Sequence, residues 1–235
     1  MPPEVDRPEV PPEQVDLVQD MPVLDRSGRR LGLLDEARCP GPEHIAQWLV
    51  VRRRLRERRV LGNPRIRGGR GSALLTDLAA SDWSGLPPAL DDADLRALIE
   101  AALAPEGDPA QSPLRTLTIT VEAQRVFVQG YLRTAEQVQA VEGRLRAIAG
   151  VLDLRTRIMT DAELEAAVRR ALEHDPRVSR QAIGVRAALG RIDLLGEVST
   201  AAAAQAADRI AAGVPGVLAV HAYLAVSAPR AAASR

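Results

Sequence analysis

The chain has 235 residues with 31 basic and 31 acidic side chains, a formal net charge of zero. Bulk attraction to nucleic acid or acidic lipid is therefore not expected, and only local patches can supply it. Every basic residue is arginine, which excludes Schiff-base chemistry for want of a lysine amine; the single cysteine, Cys39, excludes an intrachain disulfide.

Residues 1–14 are rich in proline and acid and read as a disordered lead. The first twenty residues set Glu4, Asp6, Glu9, Glu13, Asp16 and Asp20 against Arg7. A secretory signal needs a basic start and an apolar stretch, and no apolar run approaches the roughly 18 residues of a membrane span. The expected location is the cytoplasm, peripheral to the membrane if the chain binds lipid.

Residues 15–88 read as a small β-domain. Met21–Leu34 has the pattern strand, turn, strand, with the turn at Asp25–Gly28, where Asp and Ser can bond their own backbone and Gly can take positive φ. Ala46–Val51 reads as a buried strand, Val60-Leu61 as the start of another, and Gly68-Gly69-Arg70-Gly71 as a flexible loop before Ala73-Leu74-Leu75. The motif Val23-x-Asp25-x-x-Gly28-x-x-x-Gly32, with Trp48-Leu-Val-Val-Arg52 and Leu86-Pro87-Pro88, resembles the PRC-barrel family, which implies a small β-barrel. Within this stretch lie Arg52, Arg53, Arg54, Arg56, Arg58, Arg59, Arg65, Arg67 and Arg70. Guanidinium groups bind phosphate bidentately, so the cluster is a candidate for acidic lipid headgroups. The alternative is a solvated or internally compensated loop.

From residue 91 the sequence repeats. Setting Gly196 under Gly130 gives an offset of 196 − 130 = 66, and Arg125/Arg191, Thr134/Thr200 and Gly150-Val151-Leu152/Gly216-Val217-Leu218 then coincide without a gap. Each copy opens with a helix, after Asp91-Asp92-Ala93-Asp94 and after Thr160-Asp161-Ala162-Glu163, whose apolar residues recur at helical spacing. Two alternating strands follow, with Val126 and Val128 buried in copy one and Ile192 and Leu194 in copy two. Leu189-Gly190-Arg191 makes the hairpin turn of copy two; Gln124 replaces that glycine in copy one, so a different turn is expected there. A second helix follows, ended by Gly150 or Gly216, and then a last strand. The structural glycines are Gly130, Gly150, Gly190, Gly196 and Gly216. The fold class is α+β: a small β-barrel-like domain, then two α-β-β-α-β sandwiches at 91–160 and 161–227, then a flexible tail at 228–235.

This pattern resembles the BON domain family. In copy two it rests on Ile183-x-Val185, Gly190-x-Ile192-x-Leu194-x-Gly196-x-Val198 and Val214-Pro-Gly216-Val217-x-x-Val220. The resemblance implies a non-enzymatic module that binds phospholipid surfaces, other proteins or potassium ions, many of its members being exported and linked to stress.

No nucleophile elbow, phosphate loop or dinucleotide fingerprint is present, and no cofactor is expected. The histidines are His44, His174 and His221; Cys39 and His44 alone are too few ligands for a metal. The second candidate surface is the outer face of the sheets: Phe127, Arg155 and Arg157 in copy one, with Thr118, Thr120 and Gln129, and Arg186, His221 and Tyr223 in copy two, with Asp193 and Leu195. Three readings follow: an adaptor on an acidic membrane surface or a protein partner; a potassium sensor using main-chain oxygens; and a homo-oligomeric scaffold joined through sheet faces. Nucleic acid is not an expected partner.

Overall fold

In the computed structural model the described residues are 11, 15–38, 48–54, 57–62, 65–70, 72–105 and 112–227. The acidic lead (Pro11 apart), the Cys39–His44 segment and the 228–235 tail lie outside them. The fold is α+β. Two compact units divide it. The first holds residues up to Leu95 with Glu122–Gln124 and Ala149–Leu152; the second holds Arg96–Val121, Arg125–Ile148 and the chain from Asp153.

In the first unit, β1 (Pro22–Leu24), β2 (Arg30–Arg38), β3 (Trp48–Arg54), β4 (Glu57–Gly62), β5 (Ile66–Arg70) and β6 (Ala73–Thr76) form one sheet in the order β4-β3-β2-β1-β6-β5. Register shifts in four of its pairings add the local twist that bends a sheet around its own core. That core holds Val23, Leu31, Leu34, Leu49, Leu61, Leu74 and Trp83. The β1–β2 turn forms as the sequence predicts. Asp25 Oδ1 accepts from the Ser27 hydroxyl (2.6 Å), the Ser27 N–H (2.8 Å) and the Arg29 N–H (3.0 Å), and Gly28 takes φ +80°. The Ser27 hydroxyl above all holds the Asp25 carboxyl below its usual range. The expected loop at Gly68–Arg70 is instead strand β5, with Gly69 paired to Leu74 and Arg70 to Ala73. Its glycine serves packing: a Cβ on Gly69 would stand 2.8 Å from a Val15 methyl.

Beyond residue 91 one element order occurs twice. Copy one has α1 (Asp92–Ala102), β7 (Leu117–Glu122), β8 (Arg125–Leu132), α2 (Ala135–Arg146) and β9 (Asp153–Thr160). Copy two has α3 (Asp161–His174), β10 (Ala182–Ala188), β11 (Arg191–Val198), α4 (Ala201–Ala212) and β12 (Ala219–Val226). Each makes a three-stranded sheet with its second strand central and its last strand parallel to it. Copy two packs Leu164, Val168, Leu172, Ile192 and Leu194 against alanines of α4, among them Ala203, Ala207 and Ala211. These short side chains add little apolar area each, and they let the helix lie close on the strands.

The two hairpin turns are alike, against expectation. Ala123 and Gln124 take φ +50° and +61°, and Leu189 and Gly190 take +51° and +86°. Both are the primed geometry that suits strand twist. The first-helix acid supports each turn: Asp92 accepts from the Ala123 and Gln124 N–H groups (3.2 and 3.3 Å), and Asp161 from the Leu189 N–H (2.6 Å). Gln124 bears the left-handed backbone because its buried side chain is fully used. Arg38 donates to its Oε1 (2.8 Å), and its Nε2 donates to the carbonyls of Pro88 (2.9 Å) and Gly150 (2.8 Å). Gly150 and Gly216 are not helix caps. α2 ends at Arg146 and α4 at Ala212, capped by Ala147 and Gly213, and the two glycines turn the chain further on with φ +119° and +96°.

Gly130 and Gly196 are the strictest requirement of the repeat. A Cβ at Gly130 would lie 2.1 Å from the Thr116 carbonyl oxygen, and one at Gly196 would lie 2.2 Å from that of Ala182. Both also have positive φ, +143° and +126°. Gly130→Ala and Gly196→Ala are each expected to lower the free energy of urea unfolding by more than about 1 kcal/mol. Gly143→Ala, inside α2 with open space around it, should raise it by about 1 kcal/mol. A second expectation concerns acid. Hydrogen bonds from the Arg177 side chain and backbone hold the Asp175 carboxyl at about 2, against 3.8 for the free group. The folded-state value is depressed, so its stabilisation is fully present above pH 3.8 and is lost as pH falls toward 2. Asp175→Asn should melt below the native protein at pH 6, and the gap should close by pH 2.

Candidate binding cleft between the two copies

The arginine cluster of the first unit is not one bare patch. Arg52 pairs with Asp20 (2.6 Å) and Asp35 (3.7 Å), Arg58 with Asp35 (2.6 Å) and Glu36 (3.8 Å), and Arg65 with Asp77 (3.6 Å). Arg59 donates to the Leu86 carbonyl (2.9 Å), and Arg53 lies over the Trp83 ring (5.6 Å), whose indole N–H bonds Glu57. Arg67 and Arg70 are exposed on β5, at the opposite end of the sheet order from β4. The Arg54 side chain and Arg56 lie outside the described residues. The register explains the pairing. Leu34 on β2 faces Val51 on β3, and Arg52 faces Arg58 on β4, so Asp35 arrives beside both guanidinium groups.

The sheet faces alternate as the sequence predicts. Val126 and Val128 are buried, while Gln129 points outward; Phe127 sits opposite Arg155 and Gln129 opposite Arg157 on β9. Phe127 is half-buried, with the Arg125 guanidinium 5.7 Å from its ring. Arg155 pairs with Asp153 at 3.1 Å. In copy two Arg186, Asp193 and His221 form one row across the sheet, and Leu195 lies beside Tyr223 in the next. His174 ends α3, its Nδ1 2.7 Å from the Arg170 carbonyl.

The two copies meet at Tyr131 of β8. Its hydroxyl donates to the Gly216 carbonyl (2.7 Å). Gly190 and Gly216 make this seat possible: a Cβ on Gly190 would lie 3.2 Å from the Tyr131 ring and 2.8 Å from Leu218, and one on Gly216 would lie 2.7 Å from the Met159 sulfur. Beside this contact opens a cleft of about 900 Å³. One wall is the outer face of the copy-one sheet, with Thr118, Gln129, Tyr131 and Arg157; the other is α3, with Glu163, Ala167 and Arg170, and the Leu189, Pro215 and Leu218 ends of copy two. Arg115, from the short 3-10 turn Pro113–Arg115, completes the rim.

Three guanidinium groups thus surround one concavity. Arg115 and Arg157 have no acidic partner among the described residues, and Arg170 uses only its Nε, toward the Ala166 carbonyl (3.3 Å). One carboxylate shares the rim, Glu163. Its Oε2 accepts from both the N–H and the hydroxyl of Thr160 (2.9 Å each). The rim keeps net positive charge, and the Thr118 hydroxyl and Gln129 amide add neutral hydrogen-bonding groups. Such a site suits an anion with several acceptor oxygens.

Of the outer-face residues the sequence singled out, Thr118, Gln129 and Arg157 line this cleft, while Thr120, Phe127, Arg155, Arg186, His221 and Tyr223 do not. Arg115, Tyr131 and Arg170 were legible only as departures from the repeat. Tyr131 falls opposite Glu197 and Arg115 opposite Gln181 at the offset of 66, which marks features of one copy alone.

Residues 160–228 match the BON domain family. The match covers copy two, including the α3 wall of the cleft and the Gly190 and Gly216 seat; it does not extend over copy one or the N-terminal sheet. Two solved structures are similar in part. One is the C-terminal domain of CdsD, the structural protein of the type III secretion system of Chlamydia trachomatis, at 17% identity and a TM-score of 0.47, covering 59% of this chain and 68% of that one. The other is a second CdsD structure from the same organism, at 12% identity and a TM-score of 0.29, covering 58% and 94%. Among curated proteins, none matches the sequence.

Removing the Tyr131 hydroxyl tests how firmly the copies are joined. Tyr131→Phe leaves the Gly216 carbonyl without its donor and should lower the unfolding free energy by about 1 kcal/mol, read from urea unfolding followed by circular dichroism.

Proposed function

We propose that this chain is a non-enzymatic binding protein of three modules, at 15–88, 91–160 and 161–227, in which copy one is a divergent relative of the BON domain in copy two. Its ligand is the anionic headgroup of an acidic membrane surface, held in the cleft between the copies. The observation that carries this reading is the trio Arg115, Arg157 and Arg170 around one concavity without an acidic partner among the described residues other than the already engaged Glu163. The BON match to residues 160–228 supports a binding role in place of a catalytic one. No helix among the described residues is long and apolar enough to cross a membrane; the proposed attachment is peripheral, at the cytoplasmic face. The reading moves the lipid site away from the Arg52–Arg70 cluster, in which Arg52, Arg58 and Arg65 pair with Asp20, Asp35, Glu36 and Asp77. It also disfavours potassium at the cleft, because three guanidinium groups repel a cation.

Flotation with neutral and anionic vesicles at low and at physiological salt tests it. Capture is expected on anionic vesicles only, weakening as salt rises. Each arginine near such a surface contributes about 1 kcal/mol, so Arg115→Ala/Arg157→Ala/Arg170→Ala should weaken capture by about a hundredfold. Arg65→Ala, in the paired cluster, should float as the native protein does. Equal capture of the triple variant and the native chain would overturn the cleft assignment.

A further inference from the structure

Among the described residues strand β12 ends the copy-two sheet, paired to β11 on one side only. Unpaired edges invite other strands, and proteins usually blunt them with charge, proline or a bulge. The other edge strands here follow that rule. β4 carries Glu57, Arg58 and Arg59; β5 carries Arg67 and Arg70; β7 ends on Glu122; β9 carries Asp153, Arg155 and Arg157; β10 carries Arg186. β12 reads Ala-Val-His-Ala-Tyr-Leu-Ala-Val, with no Asp, Glu, Arg or Pro. Its ladder with β11 runs from Ala219 to Val226 without a register shift. Tyr223 is 60% exposed and Val226 54%.

We infer that β12 pairs with β12 of a second copy of this chain, antiparallel about a two-fold axis at Tyr223. The backbone sets the geometry. Ser227 N–H bonds the Val198 carbonyl, so in a parallel ladder of this register the odd-numbered residues of β12 turn their backbone toward β11. Val220, Ala222, Leu224 and Val226 therefore point their N–H and C=O groups outward. These are also the residues on the helix-covered face, where Val220 and Leu224 pack on the copy-two core. Centring the pair on Tyr223 sets Val220 against Val226 of the second copy and Ala222 against Leu224. Every outward-pointing N–H and C=O then finds a partner in one register, and the side-chain row under the helices stays wholly apolar across the junction. The strand is thus complementary to itself in hydrogen bonding and in side chains together, which is what an isologous interface requires. The helix on this part of the sheet leaves room. α4 is alanine throughout except Gln205, Asp208, Arg209 and Ile210. On the opposite face the two Tyr223 side chains meet at the axis.

Sedimentation of the full chain over a wide concentration range reads the assembly. The expected mass rises from one chain to two and no further. Ala222→Pro removes an N–H that has no ladder partner in the single chain, and Ala222→Lys puts charge on the edge; each should raise the dimer dissociation constant more than about tenfold. Unchanged melting of at least one of them separates this loss from misfolding. A cross-link fixes the register. In a Cys39→Ser background, Tyr223→Cys should oxidise to a linked dimer, since directly opposed residues in a non-hydrogen-bonded pair have Cα atoms about 4.5 Å apart. His221→Cys, which faces residue 225 of the second copy, should not. A chain that stays single at all concentrations, a dimer indifferent to both Ala222 variants, or linking at 221 as readily as at 223 would each overturn the proposal.

Discussion

The arrangement of the repeat depends on Thr160, which is at once the last residue of β9 and the cap of α3. Its hydroxyl accepts from the Glu163 N–H (3.3 Å) while the Glu163 carboxylate returns to the Thr160 N–H (2.9 Å). This reciprocal cap satisfies donors that a helix start would otherwise leave bare. Because it uses a strand residue, no linker separates the copies. The direction of α3 follows from that of β9, and the cleft walls follow from both. The Tyr131–Gly216 bond then closes the arrangement on the other side.

The repeat supplies a frame, and the differences between its copies supply the site. The shared parts do the same work twice: Gly130 and Gly196 admit a neighbouring carbonyl, and Asp92 and Asp161 hold their hairpin turns. The unshared parts are unequal. Arg157 of copy one stands where copy two has Tyr223, so one outer face is cationic and turned into the cleft, while the other is aromatic and open. A duplicated fold can thus offer two chemically distinct surfaces without any new element.

Much of the fold was legible because the signals were local. Alternation placed Val126, Val128, Ile192 and Leu194 inside, the Asp25–Gly28 turn formed through bonds within five residues, and both first helices begin at the acids that the sequence marks. The misreadings share a cause, which is contact at long sequence separation. Gly68–Arg70 has the composition of a loop, yet it pairs with β6 and its Gly69 leaves room for Val15, 54 residues away. The arginine run left open a free patch or an internally compensated loop, and the acid that decides it for Arg52 and Arg58, Asp35, comes from β2. The cleft drew residues from positions 115 to 218, a grouping that no local pattern announces.

Gln124 shows how such distant contacts bind one position to many others. Its left-handed backbone is strained for any residue but glycine, and glycine occupies the matching place in copy two. Placing glycine at position 124 would relax the backbone. It would also strip a hydrogen-bond partner from the Arg38 guanidinium and from the carbonyls of Pro88 and Gly150. The gain is confined to one residue, while the loss falls on three others that have settled around the amide. Glycine at this position would therefore call for compensating changes at several places together, so one amide side chain ties the hairpin of copy one to three distant parts of the chain.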